Sequence, residues 1–254
     1  MTVGTARSWL TFLVAALVLA GCGKLDPREL LTEALEAARH GDRQSWLTTR
    51  ELLKTCRDEH GVNDPDVDAL YVYALWRTDE QDQAIQVGRK LADSHPQAFA
   101  PQFILGKFYY GDKDYQNALT YLRQAHALQP EHVDCLLLYA SCAGLLNLDN
   151  AGDLYEALDA HEQYRDTGTL SNERAVWHAG RGDTRGAFSH VAKALDLSDH
   201  HPLIWLNKAR IADFYANKPS LARKFYRQFL LEAGERYKPQ REHAVGRMRA
   251  LKSL

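Results

Sequence analysis

The sequence predicts an all-α protein in which helical hairpins follow one another as a solenoid and a C-terminal helix caps the last of them. Three observations point there. Apolar residues recur at spacings of three and four, which line one face of a 3.6-residue period. That arrangement itself returns about every 34 residues, with small residues and prolines in phase. No strand-like alternation, Gly/Ser linker or low-complexity tract competes with it.

The chain opens with a different element. Residues 1–8 carry one charged side chain, Arg7; residues 9–19 are almost wholly apolar, and Ala20 and Gly21 follow. This is the layout of an export signal over 1–21. An apolar run of this length, at ~1.5 Å per residue, falls short of a ~30 Å hydrocarbon core, so a permanent membrane-spanning helix is not expected. Leu19-Ala20-Gly21-Cys22 resembles the bacterial lipobox. The resemblance implies cleavage before Cys22, acylation of that residue with palmitate-type chains, and a short lipidated tether over 22–26. Gly23 in place of an aspartate implies an outer-membrane anchor facing the periplasm. The plainer alternative is an ordinary signal peptide followed by a stray cysteine. Several acyl chains hold stably where one would be marginal.

Residues 27–64 have helical periodicity but place Trp46 near a position that wants a small residue, so they read as a divergent helical pair. Five units follow, at 65–98, 99–132, 133–167, 168–201 and 202–235. The clearest is 99–132. Its first helix is apolar at Phe103, Ile104, Leu105, Phe108 and Tyr109, the run Gly111-Asp112-Lys113-Asp114 turns the chain, and Ala118, Leu122 and Ala125 line a second helix that Pro130 ends. Residues 236–254 read as the cap, with Val245, Met248 and Leu251 inward and Arg and Lys outward. A solenoid needs such a cap because its last repeat otherwise exposes a core face.

Leu105-Gly106, Tyr109, Ala118, Leu122, Ala125 and Pro130 stand at the offsets of the tetratricopeptide repeat, which the unit resembles. The resemblance implies a right-handed superhelix of helix pairs whose first helices line a concave groove for protein or peptide partners. Carried onto this sequence, the groove offsets fall on Tyr73, Trp76 and Arg77 in one repeat and on Phe103, Lys107 and Tyr110 in the next. Such rings and cations are the residues enriched at binding hot spots, and they suit an acidic or aromatic peptide. The alternative is that some of these rings pack between repeats. Arg210, Asp213 and Phe214 form a second, weaker candidate surface.

Composition narrows the rest. The chain holds 31 basic and 33 acidic side chains. That near-balance gives no footprint for nucleic acid and no polybasic patch for a membrane. Beyond Cys22 the cysteines are Cys56, Cys135 and Cys142. Cys135 and Cys142 stand ~10 Å apart along one helix, beyond the ~7 Å limit for a bridge. Buried free thiols are favoured, with a Cys56 bridge to either as the alternative. Asp199-His200-His201-Pro202 is the densest histidine cluster, but it lies where a connector between repeats belongs and lacks a zinc spacing. Arg181-Gly182-Asp183 sits at a helix–helix turn, where Gly and Asp serve as caps. There is no nucleophile elbow, phosphate-binding loop, His-Glu-x-x-His or Cys-x-x-Cys. No catalytic residue, metal site or cofactor is expected.

The expectation is therefore a lipid-anchored periplasmic scaffold. In plan it is similar to the pilotin lipoproteins of type IV pilus systems, and also to lipoprotein adaptors for cell-wall hydrolases. An enzyme or small-ligand domain on a helical scaffold is the rival from another class.

Overall fold

The computed structural model describes residues 26–251 apart from 166 and 199. The export-signal and lipobox readings, Cys22 included, lie outside the described residues. Those residues form thirteen α-helices and one turn of π-helix, with no strand among them. Their contacts divide the chain into two compact units, one ending at Cys135 and the other beginning at Leu136.

The first unit holds three hairpins: α1 (Pro27–His40) with α2 (Arg43–Asp58), α3 (Pro65–Arg77) with α4 (Gln81–Ser94), and α5 (Phe99–Gly111) with α6 (Tyr115–Leu128). Helix α7 (Val133–Leu145) begins in it and crosses into the second unit. Aspartates start several of these helices. Asp42 accepts from the Ser45 amide, Asp64 from Asp66 and Val67, and Asp114 from Asn117. Each satisfies donors that the first turn leaves unpaired, and each places negative charge at the positive end of the helix dipole. Pro27 and Pro65 occupy first-turn positions where a missing N–H costs nothing.

Close approach within a hairpin depends on small residues. A Cβ on Gly106 would come within 2.5 Å of Leu122 Cγ and 2.7 Å of Cδ2, and Ala118 and Ala125 are fully buried on the facing helix. Helices α5 and α6 therefore touch where the sequence is smallest, and Leu122 fills the space that Gly106 leaves. The α1–α2 pair solves the same problem differently. Ala34 and Ala38 are the small side, and Trp46 is buried whole on the other. Thr49 donates its hydroxyl to the Ala34 carbonyl across the pair.

The second unit holds the rest of α7 with α8 (Ala151–Asp159), α9 (Gly168–Gly180) with α10 (Thr184–Leu197), α11 (Pro202–Arg210) with α12 (Pro219–Ala233), and α13 (Lys238–Ala250). The π turn, Ile211–Tyr215, continues α11. Ala175, Ala179, Ala187, Val191 and Ala194 make one core with Ile204 and Ile211. Phe225, Tyr226 and Phe229 of α12 make another, which α13 covers with Ala244, Leu251 and partly buried Met248. Val245 stands half-exposed beside them, not fully inward. Arg241 anchors the cap further, donating to the carbonyls of Leu230 and Gly234.

Candidate functional site

In the first unit, α3 and α5 pack side by side, and α2 packs against α3. Positions nine, twelve and thirteen of the α3 repeat thereby meet positions nine and ten of the α5 repeat. Tyr73 lies at the centre. Its ring meets the Trp46 edge at 5.1 Å and stacks with Phe108 at 6.2 Å. Trp76 stacks on Phe108, with ring centroids 4.0 Å apart and the planes nearly parallel. The Lys107 ammonium sits 4.9 Å over the Tyr73 ring and donates to its hydroxyl at 3.4 Å. The Arg77 guanidinium lies over both Trp46 and Tyr73, and donates to the Gly41 carbonyl at 2.8 Å.

Two cations from adjacent repeats thus bracket one phenol, and both donate to neutral acceptors. Burial pushes the Tyr73 hydroxyl up, but Lys107 and Arg77 together outweigh it and hold the group below the ordinary phenol range. The local field favours an anion. Rings beneath the cations hold them in place through cation–π attraction.

The six groove residues named from the sequence meet different fates. Tyr73, Trp76, Arg77 and Lys107 come together. Tyr110 turns to Tyr115, ring edge at 5.7 Å, beside the end of α5. Phe103 joins a separate cluster, 5.2 Å from Phe99 and 4.9 Å from His132. Tyr73 and Phe103 are buried. Their place in a partner-facing groove is therefore corrected: Tyr73 is the floor that carries the two cations, and Phe103 packs against Phe99 and His132 of its own repeat. Trp76, Arg77, Lys107 and Tyr110 remain half-exposed. The 34-residue template misses Trp46 and Phe108. The oversized residue at 46 is the signal that could have found the first, since a ring too large for its own hairpin must reach into the next.

The second candidate surface is corrected in the same way. The Asp213 carboxylate is 3% exposed and accepts from the Tyr226 hydroxyl at 3.0 Å and from Arg247 Nε and Nη2, both at 2.9 Å. It ties the cap to α12 through these bonds. Phe214, by contrast, is 54% exposed, and Arg247 lies 4.7 Å over its ring.

Other reactive groups are structural. Cys56, Cys135 and Cys142 are buried free thiols. Burial pushes Cys56 up to about 11 and Cys135 and Cys142 up to about 12, so none is a thiolate nucleophile near neutral pH. Burial also raises Glu173, against a hydrogen bond from Ser141. Arg181-Gly182-Asp183 is a turn: Gly182 is left-handed, Arg181 pairs with Asp149 at 3.1 Å, and Asp183 caps α10 through the Gly186 amide. Among the described residues no group of three His, Cys, Asp or Glu is arranged to hold a metal. No described helix is long and apolar enough to cross a membrane.

Comparison with known proteins identifies the fold. The family described as anaphase-promoting complex, cyclosome, subunit 3 matches residues 77–166. No curated protein matches the chain by sequence. A tetratricopeptide repeat protein from Parabacteroides merdae ATCC 43184 superposes with a TM-score of 0.68 over 89% of this chain and 92% of its own, at 12% identity. PilW, a widely conserved type IV pilus biogenesis factor, superposes at 0.58 over 76% and 91%, at 15% identity. YrrB, a tetratricopeptide protein with an unusual peptide-binding site, does so at 0.54 over 78% and 99%, at 14% identity. The fold is that of a tetratricopeptide-type helical repeat.

Proposed function

We propose that the protein is a membrane-anchored adaptor that receives an acidic polypeptide segment on the α3–α5 wall. One observation carries this: Arg77 and Lys107, from adjacent repeats, flank Tyr73 with Trp76 stacked alongside and half-exposed. A carboxylate entering here exchanges two neutral acceptors for a charge-assisted contact, which is the stronger bond. The Trp76 and Tyr110 rings supply apolar area for the residues beside it. Acylation at Cys22 ties the scaffold to the periplasmic face of the outer membrane. The likeness in fold to a pilus biogenesis factor supports a place in pilus or secretion assembly.

The test is affinity capture from detergent-solubilised envelopes of the producing cells. Wild type is compared with a Lys107→Glu/Tyr110→Ala variant of equal helicity. The expected result is a protein retained by wild type and lost from the variant, with affinity for a peptide of its acidic segment falling in parallel. Equal capture by both rejects the wall. Mass analysis of the mature N-terminus tests the anchor separately: acyl chains on Cys22 are expected, and an unmodified Cys22 removes that part of the reading.

A further inference from the structure

The near-balance of charge over the whole chain averages two unlike parts. Residues 1–201 hold 19 basic and 29 acidic side chains, whereas 202–254 hold 12 and 4. The last hairpin and its cap are thus net +8, and all that precedes them is net −10. The change falls where α11 begins. Lys218, Lys224, Arg227, Arg236, Lys238 and Arg249 are all exposed. Of the four acids, Asp213 is buried under Arg247 and leaves only Glu232, Glu235 and Glu242 at the surface.

Apolar surface collects in the same segment. Of the five large hydrophobic side chains exposed among the described residues, Phe214, Tyr215 and Leu231 lie here, the last 70% exposed. On α12 the residues Lys224, Arg227 and Leu231, three and four apart, share the face opposite Phe225, Phe229 and Ala233. At the end of α11 the π turn displays Phe214 and Tyr215 beside Arg247 of the cap. Bases and apolar groups are therefore interleaved over three elements instead of converging on one pocket.

We propose that this C-terminal end docks on the surface of an anionic lipid bilayer. A fluid anionic surface asks for net positive charge and for side chains that insert at the headgroup level; it asks for no fixed shape. Both are present. The acidic remainder is repelled by the same surface, so the charge segregation sets which end of the second unit faces the lipid. This contact is separate from acylation at Cys22 and from the α3–α5 wall, and it reverses the expectation of no polybasic patch.

The experiment is co-sedimentation of the full chain with neutral phosphatidylcholine vesicles and with vesicles containing about one third phosphatidylglycerol. Anionic vesicles should take up the protein at least ~tenfold better, and the difference should vanish near 1 M salt, where the Debye length is ~3 Å. Lys218→Glu/Lys224→Glu/Arg249→Glu should erase that difference while binding to neutral vesicles stays unchanged. A matched control of exposed bases in the first unit, Arg39→Glu/Lys54→Glu/Lys90→Glu, should keep it within about twofold. Helicity and melting temperature are checked for both. If the triple variant fails to fold, the contrast between neutral and anionic vesicles for the wild type still decides. Equal uptake by the two vesicle types overturns the proposal, as does equal loss in the two variants. Tighter binding to a short DNA duplex or to polyglutamate than to the anionic vesicles assigns the end to another occupant and overturns it too.

Discussion

Phe108, near the end of α5, and Phe214, just past the end of α11, are the same side chain in two hairpins of one fold. Phe108 is 1% exposed, stacked with both Tyr73 and Trp76; Phe214 stands open with a guanidinium over its ring. The difference follows position: Phe108 is the tenth residue of its repeat and Phe214 the thirteenth of its own, whereas Ile211, the tenth residue of the last repeat, is buried. In the α5–α6 hairpin the second helix begins 16 residues after the first, and in the α11–α12 hairpin it begins 17 after. In the last hairpin a π turn, Ile211–Tyr215, lies within that interval. A π turn inside a helix is a rare device that re-aims side chains. Burial of a ring here depends on phase more than on residue type.

The comparison can be broken most sharply by Phe108→Ala. Removing a buried ring that two neighbours stack on should cost about 4 kcal/mol, read as a fall in the denaturation midpoint. Asp213→Ala comes next, at about 3 kcal/mol, because it strands the Tyr226 hydroxyl and the Arg247 guanidinium together. Hydrogen exchange should then show α13 opening before α11 and α12.

The two phenols extend the contrast to pH. Burial and the neighbouring Asp213 raise Tyr226 far above the ordinary value of 10.0, whereas Tyr73 is held below it by Lys107 and Arg77 in spite of its burial. The folded protein keeps the Tyr226 proton longer than the unfolded chain does. The stability it lends is intact below about pH 10 and is lost as pH rises further. Tyr73, being lowered, contributes in the opposite sense, gaining as pH rises through its folded value. Tyr226→Phe should therefore flatten the alkaline fall in stability by on the order of 1 kcal/mol near pH 11, and Tyr73→Phe should steepen it, in denaturant titrations at several pH values. The smallest effect belongs to Phe214→Ala, which should leave stability within about 0.5 kcal/mol.

The helical fold was legible because close helix approach forces small residues into fixed places. Gly106 cannot be enlarged without displacing Leu122, and Ala118 is fully buried, so the spacing shows through. The site was legible in part. The template gives a position along each helix but no information on what the preceding hairpin sends across, and Trp46 decides that Tyr73 is covered. The π turn has no local mark, since Ile211–Tyr215 contains neither Gly nor Pro. The basic end was hidden for a different reason. A single net charge sums over the very segregation that gives it meaning.

One further regularity lies in the turns. From α3–α4 onward the hairpins each bend at a left-handed residue: Asp79, Lys113, Asn147, Gly182 and Asn217. These are 34, 34, 35 and 35 residues apart. Four kinds of amino acid accept the same unusual geometry, at a cost of about 1 kcal/mol where a Cβ is present, so the bend is imposed by the helices on either side of it. A chain jointed this way can be lengthened or shortened by duplicating or deleting whole cassettes of its gene, because each new copy brings both halves of its hinge with it.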